Sequence, residues 1–514
     1  MRRLFLLISI MFFAAPAHAE WWEARTDHFI IYSKSSANDA KAFAERLERY
    51  DQSLRSLQRI KPDPRLSDSR RVTIYRAGNM VDISKLAGDS ESGIAGFYIP
   101  RLEPVAFVPA REQIQTRTEL DPETVLKHEY AHHFMFRHFP GTYPSWYVEG
   151  IAELYSTIEF KPDGSFLLGK VPQARGDVLV GKYRNALNFS IRRMLLSGSK
   201  PTFEDFYGRY TYGWLFTDYT AFEPSRKGQI LTYLRLLDQG VDANKAAVQA
   251  FGDLDKLESD VARYLDKGDF PVSTVRFSDY QAPVAQMRRM GPDEEAIMPV
   301  VMRSKVGVSP RTAKGVAGDA RSVAARYPTS FAVQLALTEA ELDAENFDAA
   351  DRAADAAIAL KPDSAEALYF KGQVALARGK TDPKQYAAAR SWFAKAHDAD
   401  PDHPGPLVGN FLSYWKAKVA APETAVIGLE NAYRLAAHDG ELRITLAREE
   451  IAEKRLDVAK MLLVPLALSP HESKQAKALN EVVEQIDANN GTGALTKLDA
   501  WIAKAEEEEK KNGD

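Results

Sequence analysis

His128-Glu129-Tyr130-Ala131-His132 and, a short way on, Trp146-Tyr147-Val148-Glu149-Gly150-Ile151-Ala152-Glu153 are the two runs that decide how this chain is read. Asp121 is a good N-cap, Pro122 suits the first helical position and Glu123 the first turn, so a helix is predicted from 121 to about 138, ending before Pro140-Gly141. A second helix is predicted from Ser145, after Pro144, through Tyr155. Residues four apart on a helix lie one above the other, so the imidazoles of His128 and His132 can reach a single ion. Zinc takes neutral histidine nitrogens and, in a catalytic site, keeps one position open for water. Glu149 offers the carboxylate of a two-His, one-Glu site, and Glu129 sits beside the first histidine without being a ligand. Glu153, one turn further on, is placed to accept the other ring N–H of a ligand histidine. Gly150 and Ala152 are small, so the two helices are expected to approach closely. The competing reading of Glu149 and Glu153 is a solvated acidic face on an amphipathic helix.

Upstream, His28-Phe29-Ile30-Ile31-Tyr32 reads as a strand, followed by a helical pattern over 37–57 that sets Phe43, Leu47, Tyr50 and Leu54 on one stripe. Val72-Thr73-Ile74-Tyr75, Phe97-Tyr98-Ile99 and Val105-Ala106-Phe107-Val108 read as further strands, the last two about a turn between Pro100 and Pro104. The strand 105–108 is expected to offer its edge to an extended substrate. Downstream, helical patterns cover 188–196, 212–222, 227–237 and 254–265. Strands first and helices afterwards argue an α+β domain with a small mixed sheet, spanning 20–267. Residues 268–293 lack steady periodicity, carry Pro271, Pro283 and Pro292, and are read as a linker.

Beyond the linker the composition turns alanine-rich. A helix over 353–360 runs through Lys361-Pro362-Asp363 into a second over 365–372, and a related unit recurs over 389–401 and 402–416, with weaker echoes at 432–446 and 464–479. Helix, Pro-Asp turn, helix at a period in the thirties is the signature of tetratricopeptide repeats, whose stacked pairs form an all-α solenoid with a concave surface. This domain is assigned to 294–500, followed by a charged tail at 501–514.

With 514 residues, 45% hydrophobic and 27% charged, the chain is long enough for two or more cores. Residues 1–19 read as a secretory signal: Arg2-Arg3, an apolar run, then Ala17-His18-Ala19 before Glu20. Export to the periplasm or the extracellular space is therefore expected, with cleavage after Ala19. Formal net charge is −4, falling to −6 once Arg2 and Arg3 leave, which argues against nucleic acid as a partner. No later apolar run is long enough to span a membrane. Cysteine is absent, which excludes disulfides, thiolate ligands and cysteine catalysis.

His-Glu-x-x-His followed by Trp-x-x-Glu-Gly-x-Ala-Glu resembles the gluzincin metallopeptidases, and more closely the peptidase-MA-like domain of exported bacterial proteins. The run from His28 to Ser33 and Tyr212-Gly213-Trp214 match that domain more loosely, and the resemblance covers about residues 21–266. It implies a zinc peptidase with His128, His132 and Glu149 as ligands, Glu129 as the general base on the attacking water, and a peptide or protein as substrate. The chain departs from thermolysin-like enzymes in having no histidine between His138 and His397. Oxyanion stabilisation then falls to a tyrosine or an arginine, or is weak, with Tyr212 the first candidate and Tyr210 the second. A different class stays open: a secreted repeat scaffold whose peptidase-like domain binds zinc with little turnover. In either case an unidentified protein is the expected partner of the repeats' concave surface. His133 and His138 are read as structural, the latter suiting the helix dipole with a partial positive charge. His28 is expected to pack at a strand start, and Trp21 and Trp22 to anchor the core.

Overall fold

The computed structural model describes residues 20–511, apart from 62, 64, 65, 89–94, 111–120, 142, 181–189, 196–202, 240, 278, 279 and 468–473. The expected leader and parts of the expected helix at 188–196 lie outside the described residues.

Nine short strands are described: β1 (Trp21–Arg25), β2 (Phe29–Lys34), β3 (Val72–Arg76), β4 (Phe97–Ile99), β5 (Val105–Val108), β6 (Glu159–Phe160), β7 (Phe166–Leu168), β8 (Ser273–Val275) and β9 (Gln286–Arg289). Six make one mixed sheet in the order β4-β5-β3-β2-β1-β9, and β6-β7-β8 make a second. β2, β3 and β5 run parallel, and β1, β4 and β9 pair antiparallel at the flanks. The period of two sorts the side chains by face. Ala24, Phe29, Ile31, Val72, Ile74, Ala106 and Val108 share one core with helix α1 (Ala37–Gln58), through the predicted stripe Phe43, Leu47, Tyr50 and Leu54. The alternate residues Tyr32, Tyr75, Phe107 and Phe97 stack in that order across the other face, with centroids 5.5, 5.3 and 4.9 Å apart.

The first domain continues with α2 (Met80–Leu86), α3 (Pro122–His138), α4 (Ser145–Ser156), α5 (Gln173–Val180), α6 (Ile191–Leu195), α7 (Phe203–Phe222), α8 (Gln229–Asp238), α9 (Ala243–Phe251) and α10 (Leu254–Lys267). Trp146, Trp214, Phe216, Tyr233 and Leu257 centre the helical core. Twelve further helices follow: α11 (Pro292–Val306), α12 (Pro310–Arg326), α13 (Phe331–Asp343), α14 (Phe347–Leu360), α15 (Ala365–Arg378), α16 (Lys384–Ala399), α17 (Pro404–Lys416), α18 (Glu423–Leu435), α19 (Gly440–Ala452), α20 (Leu456–Ala467), α21 (Lys474–Asp487) and α22 (Gly491–Lys511). Consecutive helices pack on one another along this array. Buried alanines such as Ala350, Ala354, Ala357, Ala389 and Ala396 let the helix axes come close. Gly372 of α15 and Gly409 of α17 leave the room that the Phe393 ring of α16 occupies. The chain is thus mostly helical, with an N-terminal mixed sheet followed by a repeat-like stack of helices.

Two expectations are corrected. Residues 268–293 are not a free linker: β8 pairs with β7, and β9 pairs with β1 as the sixth strand of the main sheet. Both segments are mostly exposed and carry a single half-buried apolar residue each, Val275 and Met287, so no apolar alternation marks them. The strand at 105–108 has no free edge either, because β5 lies between β4 and β3; among the described residues the edge strands of this sheet are β4 and β9.

Candidate metal centre

Helix α3 is fixed at its start by Asp121, whose carboxylate accepts from the Thr124 N–H at 2.9 Å, a cap worth about 1 kcal/mol. Leu126, Tyr130 and Phe134 bury one face against the sheet and α1. That turns His128 and His132, two positions along and about 200° round, away from the sheet core toward α4. Glu149 of α4, 1% exposed, meets them there. His128 Nε2 and His132 Nε2 lie 3.0 Å apart, and the Glu149 Oε2 atom stands 3.2 Å from the first and 3.5 Å from the second. Three donors at bond lengths of about 2.0–2.1 Å around a tetrahedral zinc sit roughly 3.3 Å from one another, so this donor set and its spacing fit that ion.

Glu153, one turn beyond Glu149, has its Oε1 atom 3.5 Å from His128 Nδ1, on the far side of the ring from the cluster. Arg175 of α5 donates to the same oxygen from Nε at 3.0 Å and Nη2 at 2.8 Å. The His132 Nδ1 atom is buried with no hydrogen-bond partner. Burial works against the charged form of His128, but the hydrogen bond to Glu149 and the carboxylates of Glu153, Glu149 and Glu129 outweigh it and raise its pKa. Burial would raise the pKa of Glu149; His132 and His128 overcome this and hold it well below the usual carboxylate range.

Of the two tyrosine candidates, Tyr210 has its ring stacked on His128 at 6.0 Å, with the Arg175 guanidinium 4.7 Å from the centroid of the same ring. Burial, then Glu149 and Glu129, push its phenol pKa upward. Tyr212 packs against the helical core cluster instead. Two residues along α7 is a rotation of about 200°, so one tyrosine facing His128 turns the other away.

The close helix approach expected from Gly150 is real, but its partner differs. Gly150 meets Gly213 of α7, not α3: a Cβ on Gly150 would lie 2.3 Å from the Gly213 carbonyl oxygen, and a Cβ on Gly213 would lie 2.4 Å from that of Trp146. This glycine-to-glycine crossing holds Glu149 and Glu153 against the turn of α7 that carries Tyr210. Arg175 was not legible as a site residue, because nothing in the sequence ties its isolated guanidinium to a carboxylate 22 positions away.

A second convergence involves His28, Glu48 and Asp51, all buried. Its charges are already paired: Asp51 accepts from Arg55 Nε at 2.5 Å and from the Tyr130 hydroxyl at 2.7 Å, and His28 Nδ1 contacts Glu48 at 2.6 Å. It anchors the strand start to α1 and α3. The dipole role expected of His138 is corrected, since burial with Arg137 and Arg55 nearby lowers its pKa to about 4 and leaves it neutral near pH 7. A cavity of about 520 Å³ lies between the sheet's aromatic face and the repeat helices, and its lining excludes His128, His132 and Glu149. Among the described residues no helix is long and apolar enough to cross a membrane.

No family model matches the chain, and no curated protein matches it. Among solved structures it is similar to that of Pseudomonas aeruginosa pilF, at 15% identity over 40% of this chain and 90% of that chain, with a TM-score of 0.31.

Proposed function

We propose that the chain is an exported zinc-dependent peptidase whose repeat domain recognises a protein. The observation that carries this reading is the convergence of His128 Nε2, His132 Nε2 and Glu149 Oε2 within 3.5 Å of one another, with Glu129 adjacent on the same helix. His128, His132 and Glu149 would hold a zinc ion, which when bound would supply a Lewis acid for the substrate carbonyl and lower the pKa of a water toward neutrality. Glu153 stands 3.5 Å from His128 Nδ1, where its charge orients the ring, and Arg175 fixes Glu153 in turn. Glu129 accepts the proton of the attacking water and returns it to the departing amine. Tyr210, whose phenol stays protonated at neutral pH, is the donor for the oxygen that gains charge. Among the described residues β4 is an edge strand, and its unpaired side is the one assigned to an extended substrate backbone. Residues 1–19 support export by their charge and apolar pattern.

The test uses the chain from Glu20 onward, supplied with zinc and a broad peptide library read by mass spectrometry. Wild type should cleave, and Glu129→Gln should keep its zinc while losing about 10²-fold or more of the rate. Undiminished hydrolysis in Glu129→Gln removes the proposed base. Zinc binding with no hydrolysis by wild type transfers the conclusion to a zinc-binding secreted scaffold.

A further inference from the structure

The turn joining β4 to β5 does not end in solvent. It projects into the repeat array, and successive residues of its tip are held there by different kinds of contact. The Arg101 carbonyl accepts from His438 Nε2 at 3.0 Å, and the N–H of Leu102 donates to the Asp439 carboxylate, so one peptide group is read on both sides by consecutive residues of the α18–α19 turn. The Leu102 side chain packs into the cluster built by α17 to α22. The Glu103 carboxylate meets His403 Nε2 at 3.1 Å, with Lys305 close enough to act on its charge. These contacts suit a surface that reads a short turn of chain: a backbone group for affinity, an apolar socket for Leu102 and an imidazole facing the Glu103 carboxylate for specificity.

We infer that residues 101–103 are an internal ligand of the repeat domain, and that the groove they occupy recognises a protein segment carrying leucine followed by an acidic residue. Three features favour an exchangeable ligand over a fixed brace. The tip is a bend bounded by Pro100 and Pro104, so it meets the array as a preset turn that lies outside the β4–β5 ladder. Its three residues are only partly buried, and the Glu103 side chain keeps 31% of its surface exposed. The first domain also holds the array elsewhere, through Ser69 on Asp400 at 2.7 Å and the His133 ring against His438 at 4.5 Å. Release of the tip would free the end of β4, an edge strand of the sheet, while leaving those contacts in place. This inference does not depend on the peptidase reading.

The experiment compares the full chain with a Leu102→Asp, Glu103→Lys double variant. The probe is a fluorescently labelled hexapeptide of the sequence of residues 99–104, with a scrambled hexapeptide as control. A tethered ligand competes at an effective concentration on the order of millimolar, so the variant should bind the probe about 10-fold or more tightly than wild type. Adding His403→Ala to the variant should reduce that binding again, and the scrambled probe should bind neither. Equal binding to wild type and variant overturns the inference. Loss of the cooperative thermal transition in the variant overturns it as well, because an internal ligand is dispensable for folding and a brace is not.

Discussion

Gly150→Ala tests whether the glycine crossing of α4 and α7 sets the geometry of the candidate centre. The new Cβ would stand 2.3 Å from the Gly213 carbonyl oxygen, 2.4 Å from its carbonyl carbon and 2.6 Å from Thr217 Oγ1. Carbon–oxygen contacts settle near about 3.3 Å, so the helices must part by roughly 1 Å. Backbone atoms cannot rotate aside, and overpacking of this kind costs about 1–3 kcal/mol. In a domain of this size that lowers the midpoint of thermal unfolding by about 3–10 °C. Glu149 is the next residue along, and a metal site tolerates displacements of only about 0.5 Å. Zinc affinity should therefore fall about 10–100-fold. Gly315→Ala is the control, since its Cβ meets nothing within 4 Å in the middle of α12; there the gain in helix propensity is up to about 1 kcal/mol. Circular dichroism melts and zinc competition with a chromophoric chelator read both quantities. A Gly150→Ala protein that melts with wild type and binds zinc equally well refutes the argument that this crossing holds the centre together.

Three further outcomes follow from named contacts. Glu153→Ala, which frees the His128 ring and orphans Arg175, should weaken zinc binding about 10-fold with little loss of helix content, measured by the same competition. Arg55→Ala leaves the fully buried Asp51 carboxylate without its cation and should destabilise the chain by about 3–5 kcal/mol in urea unfolding. Asp218 is fully buried and its pKa rises to about 7, chiefly by burial, partly offset by the Tyr264 hydroxyl 2.6 Å away. The folded state then binds a proton that the unfolded state has released, so stability falls as pH rises from about 4 to 7, by up to about 4 kcal/mol. Asp218→Asn should flatten that slope and be the more stable protein at pH 8; an unchanged slope contradicts the assignment.

The parts of the fold written in local chemistry were legible. Asp121, Pro122 and the histidine spacing gave α3 its start and the side that faces Glu149, and Phe43, Leu47, Tyr50 and Leu54 gave the buried stripe of α1. What failed was partner choice. Gly150 announces a close approach, yet its sequence is equally consistent with α3 or α7 as the neighbour. Tyr210 and Tyr212 lie on one helix, and only the rotation of α7 decides which reaches His128. β9, Gln-Met-Arg-Arg, is an exposed edge strand with no apolar alternation, so its pairing with β1 leaves no periodic trace. The grip of His438 on Arg101 joins residues 337 positions apart, beyond any local pattern.

The central claim is that two imidazoles and one carboxylate form a site for a single zinc ion. Its most direct test is the metal content of the purified chain after dialysis against dilute zinc, beside Glu149→Ala and the His128→Ala, His132→Ala double variant. About one zinc per wild-type chain is expected, with a melting transition that drops on chelation, and neither property in either variant. A wild-type chain that retains no zinc and melts identically with and without chelator contradicts it.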